Sequence, residues 1–590
     1  MRRFLVGLFV TLGVIFLVGF VGFVGIAIVT MRLAGKANEL PANIVLTADL
    51  TADLPDSAEP DPMSRLLFGQ KTTLRDFVDA LDRAADDPRV KSLYIQLGDD
   101  KLALAKTQQV RDAIAAFRAK GKFAIAYADT FGEGTPGTRP YYLATACDEI
   151  WLQPLGEVGI IGLRSETPFI RGLLDKLAIT TDFDHREEFK TAMNSLTETT
   201  MTGPQREEVE ALLTSTAGQI DRGIAEARKL SEAQVAALVD RAPLTADTAK
   251  RAGLIDRVAY RDEAQARAQD KAGAGARLIS IARYLAAAGR PHDRGTKIAL
   301  IYGTGLITRS SSGPGPLSDT AFTARRIARA FTAAVRDKDV KAIVFRIDSP
   351  GGSAIASETM WREVVRAREH GKPVIVSMGD VAASGGYYVA APADKIVAEP
   401  ATLTGSIGVL AGKIILGGLM EKLGITGEAV ERGANAGMYA ATQDFSPLAK
   451  QRLEDELDET YRGFKDHVAA GRHLAADAVE AAAKGRVWTG EDAKARGLVD
   501  ALGGYDTALE LARQAANLPA GAPLDVVVFP RERGIAAVLF GRLLNEDEDD
   551  TVGPAATLQR SLAALQTVVE AVESVADPGI LRMNPVGEIR

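Results

Sequence analysis

The stretch GLLDKLAIT at residues 172–180 returns as GLMEKLGIT at residues 418–426. A second stretch, LTADTAKRAGLID at residues 244–256, returns as WTGEDAKARGLVD at residues 488–500. Each pair is separated by roughly 250 residues, far more than the ~20 to 50 residues of a solenoid or propeller repeat. The sequence therefore predicts the tandem duplication of a whole domain.

The composition is that of a globular protein with two large domains. Its 590 residues exceed the roughly 100 to 250 residues of a single domain. A net charge of −7 and the lack of a dense basic block argue against nucleic acid as a partner. The single cysteine, Cys147, lies in an apolar stretch and is predicted to be a small buried hydrophobe.

Residues 4–30 depart from this soluble pattern because they contain no charged side chain. About 20 apolar residues span a bilayer, whereas the apolar core of a cleaved signal peptide has ~7 to 15, so the run favours an uncleaved transmembrane anchor. The positive charges of Arg2, Arg3 and the α-amino group before it slightly outweigh Arg32 and Lys36 after it. The prediction is a single-pass protein of a bacterial inner membrane, with the bulk of the chain on the periplasmic side.

Apolar runs bounded by turn residues alternate with helical patterns in both copies. In the second copy, strands are predicted at 341–347, 374–378 and 395–398, and the first copy has matching strands at 91–97 and 123–127. Such alternation predicts an α/β fold with a largely parallel sheet.

The sequence predicts four segments. The anchor at 4–30 is followed by a first α/β repeat at 43–287 and a second at 297–530. The tail, 531–590, has no assigned function. Its acidic run at 546–550 lacks the spaced ligands of a calcium loop and is interpreted as solvated surface.

Two glycine-rich turns of the second copy carry the candidate chemistry. Gly351 and Gly352 follow a predicted strand and are expected at a helix start, where free N–H groups can face developing negative charge, as in an oxyanion hole. Ser384 precedes Gly385 and Gly386 at the next helix start. A serine in this place is often only a helix N-cap, and a Pro-Gly-Gly turn is often only a turn.

The first copy lacks both motifs. Residues 98–101 read GDDK where the second copy has DSPG, and residues 138–140 read TRP where it has SGG. Pro140 has no N–H group to offer an anion. Since a purely structural turn is expected in both copies, the difference favours Ser384 as a nucleophile.

A nucleophilic serine needs a base, and none of the five histidines lies in a compelling sequence context. Lysine is the alternative, but its ordinary pKa of about 10.4 must fall by roughly three units, which only burial achieves. Lys190 stands opposite Ala436 of the second copy, although its own surroundings do not single it out.

These motifs resemble the long, membrane-anchored form of signal peptide peptidase A, a family of Ser-Lys serine proteases with a crotonase-like fold related to the Clp protease subunit. The resemblance rests on DSPGGS at 348–353, ASGGYY at 383–388, TGSIG at 404–408 and FKTA at 189–192. The family more often has YKSA in the last place. The resemblance covers the chain from the anchor to residue 530.

The resemblance implies a role for each matching residue. Ser384 is expected to be the nucleophile and Lys190 the general base. Backbone N–H groups of Gly352 and Gly385 match the oxyanion hole, and Ser406 matches a hydroxyl that orients the lysine.

The resemblance also implies partners. We expect a homotetramer whose interior opens toward the membrane, with cleaved signal peptides and other short apolar peptides as substrates and with no metal or organic cofactor. Two alternatives remain open, namely an acyl-CoA hydratase or isomerase on the same scaffold, and a non-catalytic membrane-tethered scaffold. Labelling of Ser384 by a serine-reactive probe, lost in Lys190→Ala, distinguishes the protease from both.

Overall fold

The computed structural model describes residues 39–57, 71–309, 322–530 and 580–582. The predicted anchor at 4–30 and the acidic run of the tail lie outside these residues. Within the described ranges, no helix has the length and apolar character needed to cross a membrane.

The first repeat is built on a six-stranded sheet flanked by helices. Its strands are β1 (Ile44–Asp49), β2 (Val90–Leu97), β3 (Phe123–Ala128), β4 (Glu149–Leu152), β5 (Glu157–Val158), β6 (Thr180–His185), β7 (Leu244–Thr245), β8 (Arg257–Val258) and β9 (Arg277–Ser280). Its helices are α1 (Leu74–Asp86), α2 (Leu104–Ala119), α3 (Thr138–Ala144), α4 (Arg171–Lys176), α5 (Asn194–Thr197), α6 (Gly203–Arg228), α7 (Glu232–Val239), α8 (Ala246–Arg251), α9 (Arg261–Ala272) and α10 (Ile281–Ala288). The sheet order is β8, β4, β3, β2, β1, β9, and every pairing is parallel.

The second repeat is built on an eight-stranded sheet. Its strands are β10 (Thr296–Thr304), β11 (Ile307–Thr308), β12 (Phe322–Thr323), β13 (Val340–Ser349), β14 (Gly351–Ser353), β15 (Val374–Ala383), β16 (Lys395–Ala398), β17 (Leu403–Gly405), β18 (Leu410–Ile415), β19 (Val487–Thr489), β20 (Ala501–Leu502) and β21 (Leu524–Phe529). Its helices are α11 (Ala324–Arg336), α12 (Ala354–Glu369), α13 (Gly385–Ala390), α14 (Gly417–Lys422), α15 (Pro447–Arg472), α16 (Ala476–Ala482), α17 (Gly490–Ala495) and α18 (Tyr505–Ala515). The final strand, β22 (Ile580–Arg582), belongs to the tail.

The two main sheets share one connectivity. The order β8, β4, β3, β2, β1, β9 of the first sheet is matched in the second by β20, β16, β15, β13, β10, β21. The central strands are apolar runs buried at most positions, as β13 (VKAIVFRIDS) shows, which is typical of parallel strands covered on both faces. The predicted α/β class is confirmed, with the strand expected at 341–347 extended by a few residues. Cys147 is buried, as predicted, and burial raises its pKa to about 12.

A third sheet joins the repeats, in the order β12, β11, β14, β22, β18, β6. Its strand β6 comes from the first repeat and pairs antiparallel with β18 of the second along its full length, from His185 opposite Leu410 to Thr180 opposite Ile415. Because β6 is paired with the second repeat, the residues that follow β6 lie next to Ser384 of that repeat.

Buried charges also hold the repeats together. Arg346 of β13 reaches Asp56 of the first repeat at 2.9 Å and Gln109 at 3.3 Å, and both ions are almost fully buried. Asp380 of β15 accepts a hydrogen bond from the backbone N–H of Lys106 at 2.9 Å. Buried ions are tolerated only when paired and hydrogen-bonded, so this cluster fixes one docking geometry of the two repeats.

The structure corrects one predicted boundary. Gly351 and Gly352 were expected at a helix start, but they lie in the short strand β14, and helix α12 begins at Ala354 after the N-cap Ser353. The reason is a sheet contact, because Gly352 pairs with Ile307 of β11. A Cβ atom on Gly352 would lie 2.1 Å from the Ile307 carbonyl oxygen, so only glycine fits there.

Candidate active site

Ser384 occupies a strained bend between β15 and α13. Its backbone angles, φ +53° and ψ −116°, lie in a region that a non-glycine residue rarely adopts. Its N–H donates to the Gly405 carbonyl at 2.8 Å, and its side chain does not cap the helix. The interpretation of this serine as a helix cap is therefore wrong, and its hydroxyl is available for another partner.

Lys190 reaches that hydroxyl from the first repeat. The loop after β6 is tied to the second repeat by two backbone hydrogen bonds, from Arg186 N–H to the Val409 carbonyl at 3.0 Å and from Phe189 N–H to the Lys484 carbonyl at 3.1 Å. These bonds turn the next residue inward. As a result the Lys190 side chain is only 1% exposed although its charged form prefers water.

The Lys190 amine makes three short contacts. Its Nζ lies 2.9 Å from Ser384 Oγ, 3.0 Å from Ser406 Oγ and 3.0 Å from the Ser406 carbonyl oxygen. A neutral amine has two N–H donors and one lone pair. Two donations to Ser406 leave the lone pair to accept the hydroxyl proton of Ser384. Within the described residues, no histidine ring is hydrogen-bonded to Ser384.

Burial lowers the pKa of Lys190 well below its ordinary value, and the negative charge of Glu208 opposes this effect. Removal from water disfavours the charged ammonium, so the neutral base is far more abundant near neutral pH than for an exposed lysine. The environment of Lys190 therefore favours the neutral amine that a lysine must have to act as a base.

The backbone of Ser406 is held by the second repeat. It follows β17 with a positive φ of +50°, and its N–H donates to the Arg486 carbonyl at 2.7 Å. Its side chain is fully buried. Its hydroxyl and carbonyl oxygen atoms both accept hydrogen bonds from the Lys190 amine. The role of Ser406 in orienting the lysine stays a prediction.

The two glycines predicted for the oxyanion hole lie side by side next to Ser384. A Cβ atom on Gly385 would lie 3.2 Å from the backbone nitrogen of Gly352 and 2.6 Å from Ser357 Oγ. Any side chain there would press on the neighbouring backbone. The structure therefore brings together all five predicted site residues, while the oxyanion role of Gly352 and Gly385 stays a prediction. Within the described part of the chain, no group of three metal-ligating side chains comes together.

Sequence reasoning missed the glycine that makes room for the lysine. Gly485, with φ +78°, packs so closely on Lys190 that an added Cβ atom would lie 2.5 Å from the Lys190 nitrogen and 2.7 Å from its Cα. The comparison of the repeats could have found it. When the match of 244–256 with 488–500 is extended toward the N-terminus, Arg241 stands opposite Gly485. A glycine present in only one copy indicated a close approach there.

Gly485→Ala is expected to lower kcat by about 100-fold with little change in KM, because a displacement of catalytic groups by ~1 Å costs about that much. Steady-state hydrolysis of a peptide measures the effect. Gly253→Ala is the matched control, since Gly253 has a φ of +79° but open space around its Cα. Equal losses in the two variants would assign the effect to backbone strain and contradict the prediction.

A strand of the tail lies along this site. The backbone of β22 runs antiparallel to β14, with Arg582 opposite Gly351, Leu581 opposite Gly352 and Ile580 opposite Ser353. On its other side, Ile580 pairs with Leu410 of β18. An extended polypeptide thus fits between β14 and β18 by strand addition, the mode in which main-chain hydrogen bonds bind a peptide irrespective of its sequence.

A buried serine–lysine pair beside adjacent glycine amides and an extended peptide groove is typical of a serine protease that uses lysine in place of histidine. The family model for peptidase family S49 matches residues 116–275 and 366–519, one match in each repeat. The chain belongs to this family and is a serine protease. This membership favours the protease over the acyl-CoA enzyme and the inert scaffold.

The chain is similar to several curated proteins. It is 31% identical over 548 residues to a chloroplastic serine protease SPPA of Arabidopsis thaliana, covering 90% of this chain and 77% of that protein. It is 31% identical over 525 residues to Protease 4 of Salmonella typhi, covering 85% and 82%. A shorter match, 34% over 182 residues, covers 31% of this chain and 53% of a protein of Enterococcus faecium named as a signal peptide peptidase SppA.

Proposed function

We propose that this chain is a serine endopeptidase that degrades released signal peptides and other short apolar peptides, with Ser384 as nucleophile and Lys190 as general base. The proposal rests on the 2.9 Å contact between the buried Lys190 Nζ and Ser384 Oγ. The name of the Enterococcus faecium relative supports signal peptides as substrates.

The proposed reaction is acyl transfer in two stages. Neutral Lys190 takes the proton of Ser384 as Oγ attacks the peptide carbonyl carbon, and N–H groups of Gly352 and Gly385 stabilise the oxyanion. The ammonium then gives its proton to the leaving amine as the C–N bond breaks, which leaves an acyl-serine ester. Lys190 next takes a proton from water, which attacks the ester, and Ser384 regains its proton as the acid product leaves.

Hydrolysis of a synthetic signal peptide by the full chain in detergent tests this function. We expect cleavage at internal bonds, identified by mass spectrometry of the fragments, and none by Ser384→Ala. If the intact peptide persists under conditions in which the wild-type protein is folded, the proposal is wrong.

We further propose that the chain is anchored by residues 4–30 in a bacterial inner membrane, with its bulk in the periplasm, and assembles as a homotetramer of crotonase-like domains. Exposed apolar side chains on both repeats, Leu173 and Leu177 of the first and Leu423 and Ile425 of the second, support an oligomeric contact. Native mass spectrometry of the purified protein tests the tetramer, and a monomer at micromolar concentration contradicts it.

Ending the chain at residue 579, which removes β22, is expected to lower the apparent KM for peptides without changing kcat. In the intact chain β22 competes with substrate for the groove between β14 and β18, and apparent affinity falls with the fraction of molecules whose groove is free. Initial rates across peptide concentrations give both constants.

The matched control is a chain that ends at Arg582, which retains β22 and lacks only the last residues. Its KM is expected to equal that of the full chain. A lower KM in both truncations would assign the effect to residues after 582, and an unchanged KM in both would show that the tail does not compete with substrate.

A further inference from the structure

Glu208 lies where helix α6 of the first repeat meets the start of β19. Its side chain is 1% exposed, and its Oε1 accepts a hydrogen bond from the Val487 N–H at 2.6 Å. Its neighbour Glu207 is exposed and pairs with Arg486 at 2.7 Å. Burying a carboxylate costs free energy unless hydrogen bonds or an opposite charge compensate for the lost water.

The segment that Glu208 holds, residues 484–487, contacts both groups around the catalytic amine. Gly485 packs on the backbone of Lys190, and its N–H donates to the Ile407 carbonyl at 2.8 Å. The Arg486 carbonyl accepts the Ser406 N–H at 2.7 Å. A shift of this segment would therefore move Lys190 relative to Ser406.

The charge of Glu208 also acts on the amine. The other charged or titratable side chains of residues 184–188 and 484–487, and that of Glu207, lie at the surface or are half-buried, whereas Glu208 is buried. They are Asp184, His185, Arg186, Glu187, Glu188, Lys484, Arg486 and Glu207. The charge of Glu208 raises the pKa of Lys190 against the larger lowering by burial.

The repeat comparison gives independent support. Helices α6 and α15 both have 26 residues and begin after hydroxyl N-caps, Thr202 and Ser446. Aligned on these caps, Glu208 stands opposite Arg452, which is exposed. A buried carboxylate is thus not a requirement of this helix in the fold. It occurs only in the copy that supplies the lysine.

We propose that Glu208 is a positioning residue for the Ser384–Lys190 pair. Its carboxylate accepts the Val487 N–H and so fixes the 484–487 segment, on which Lys190 packs, with a buried negative charge on the same side of the amine. This inference rests on the proposed roles of Ser384 and Lys190.

Glu208→Gln separates the two contributions, because the amide retains an oxygen acceptor for Val487 but loses the charge. The readout is the rate at which a serine-reactive probe labels Ser384 as a function of pH, mapped by mass spectrometry. We expect the acid limb of this profile to shift to lower pH by about one unit. Glu208→Ala, which also loses the acceptor, is expected to label more slowly at every pH, by about tenfold or more.

Glu207→Gln is the matched control, since it removes the neighbouring exposed charge, and its profile is expected to superimpose on that of the wild type. A Glu208→Gln profile that superimposes on the wild type overturns the proposal, even if its thermal stability falls, because a merely structural role moves stability alone. Absence of labelling in the wild type would instead refute the proposed function. Should Glu208→Ala fail to fold, the Gln variant decides.

Discussion

Replacement of Ser384 by alanine is expected to abolish peptide hydrolysis, with kcat lower by on the order of 10⁴-fold or more, as for other serine nucleophiles. The Ser384 hydroxyl lies 2.9 Å from the Lys190 amine, so its removal is expected to end acyl transfer. Fragment release from a labelled signal peptide measures the loss.

Ser446→Ala is the control for this variant. Ser446 also stands at a helix start, that of α15, where its hydroxyl accepts the Ala449 N–H at 3.1 Å. Its loss is expected to cost about 1 kcal/mol of stability and little activity. Activity of Ser384→Ala within tenfold of the wild type would show that another residue is the nucleophile.

Lys190→Met is expected to lower kcat by about 10² to 10⁴-fold, the contribution of a general base, with the side-chain volume retained. Steady-state kinetics against the Ser384→Ala baseline measure the loss. A variant that retains most of its activity would place the base elsewhere.

The same variant has a predicted pH signature in stability. The folded-state pKa of Lys190 lies well below that of the unfolded chain, so between the two values the unfolded state binds more protons and wild-type stability rises with pH. The penalty of the buried amine is complete below its folded pKa and disappears above about pH 10.4. Relative to Lys190→Met, the wild type should gain about 1.4 kcal/mol per pH unit in this window. Urea unfolding at several pH values measures the difference in unfolding free energy between the two proteins. A difference that does not change with pH contradicts the assignment.

The division of one site between two repeats explains why the duplication is asymmetric. The first repeat supplies an amine through β6, which is paired on β18, and the second supplies the strained serine. The ion pair of Arg346 with Asp56 fixes their docking. Each copy therefore holds the residues of its own half of the proposed site.

Several parts of this arrangement were readable from the sequence. Apolar strands alternating with helices gave the α/β class, and the motif missing from the first copy singled out Ser384. Lys190 was found through the repeat comparison and the family resemblance, because the residues around it show no local sign of burial. What buries it is the pairing of β6 with β18, a contact between residues about 230 apart, which local patterns do not encode.

Other parts depended on packing. The start of α12 was misplaced because strand pairing of Gly352 with Ile307 overrides the helix signal of the following residues. The function of Glu208 depends on a backbone N–H of the other repeat, and a single glutamate in a charged helix shows no pattern for it.

The central claim is that an amine of the first repeat, held neutral by burial, activates a serine of the second. The most direct test is the pH dependence of the rate at which an active-site titrant acylates Ser384 in the wild type and in Lys190→Met. The account predicts a single ionisation well below the ordinary lysine value of about 10.4, absent in the variant. An ionisation near 10.4, or one near 6.5 that survives in Lys190→Met, would contradict it.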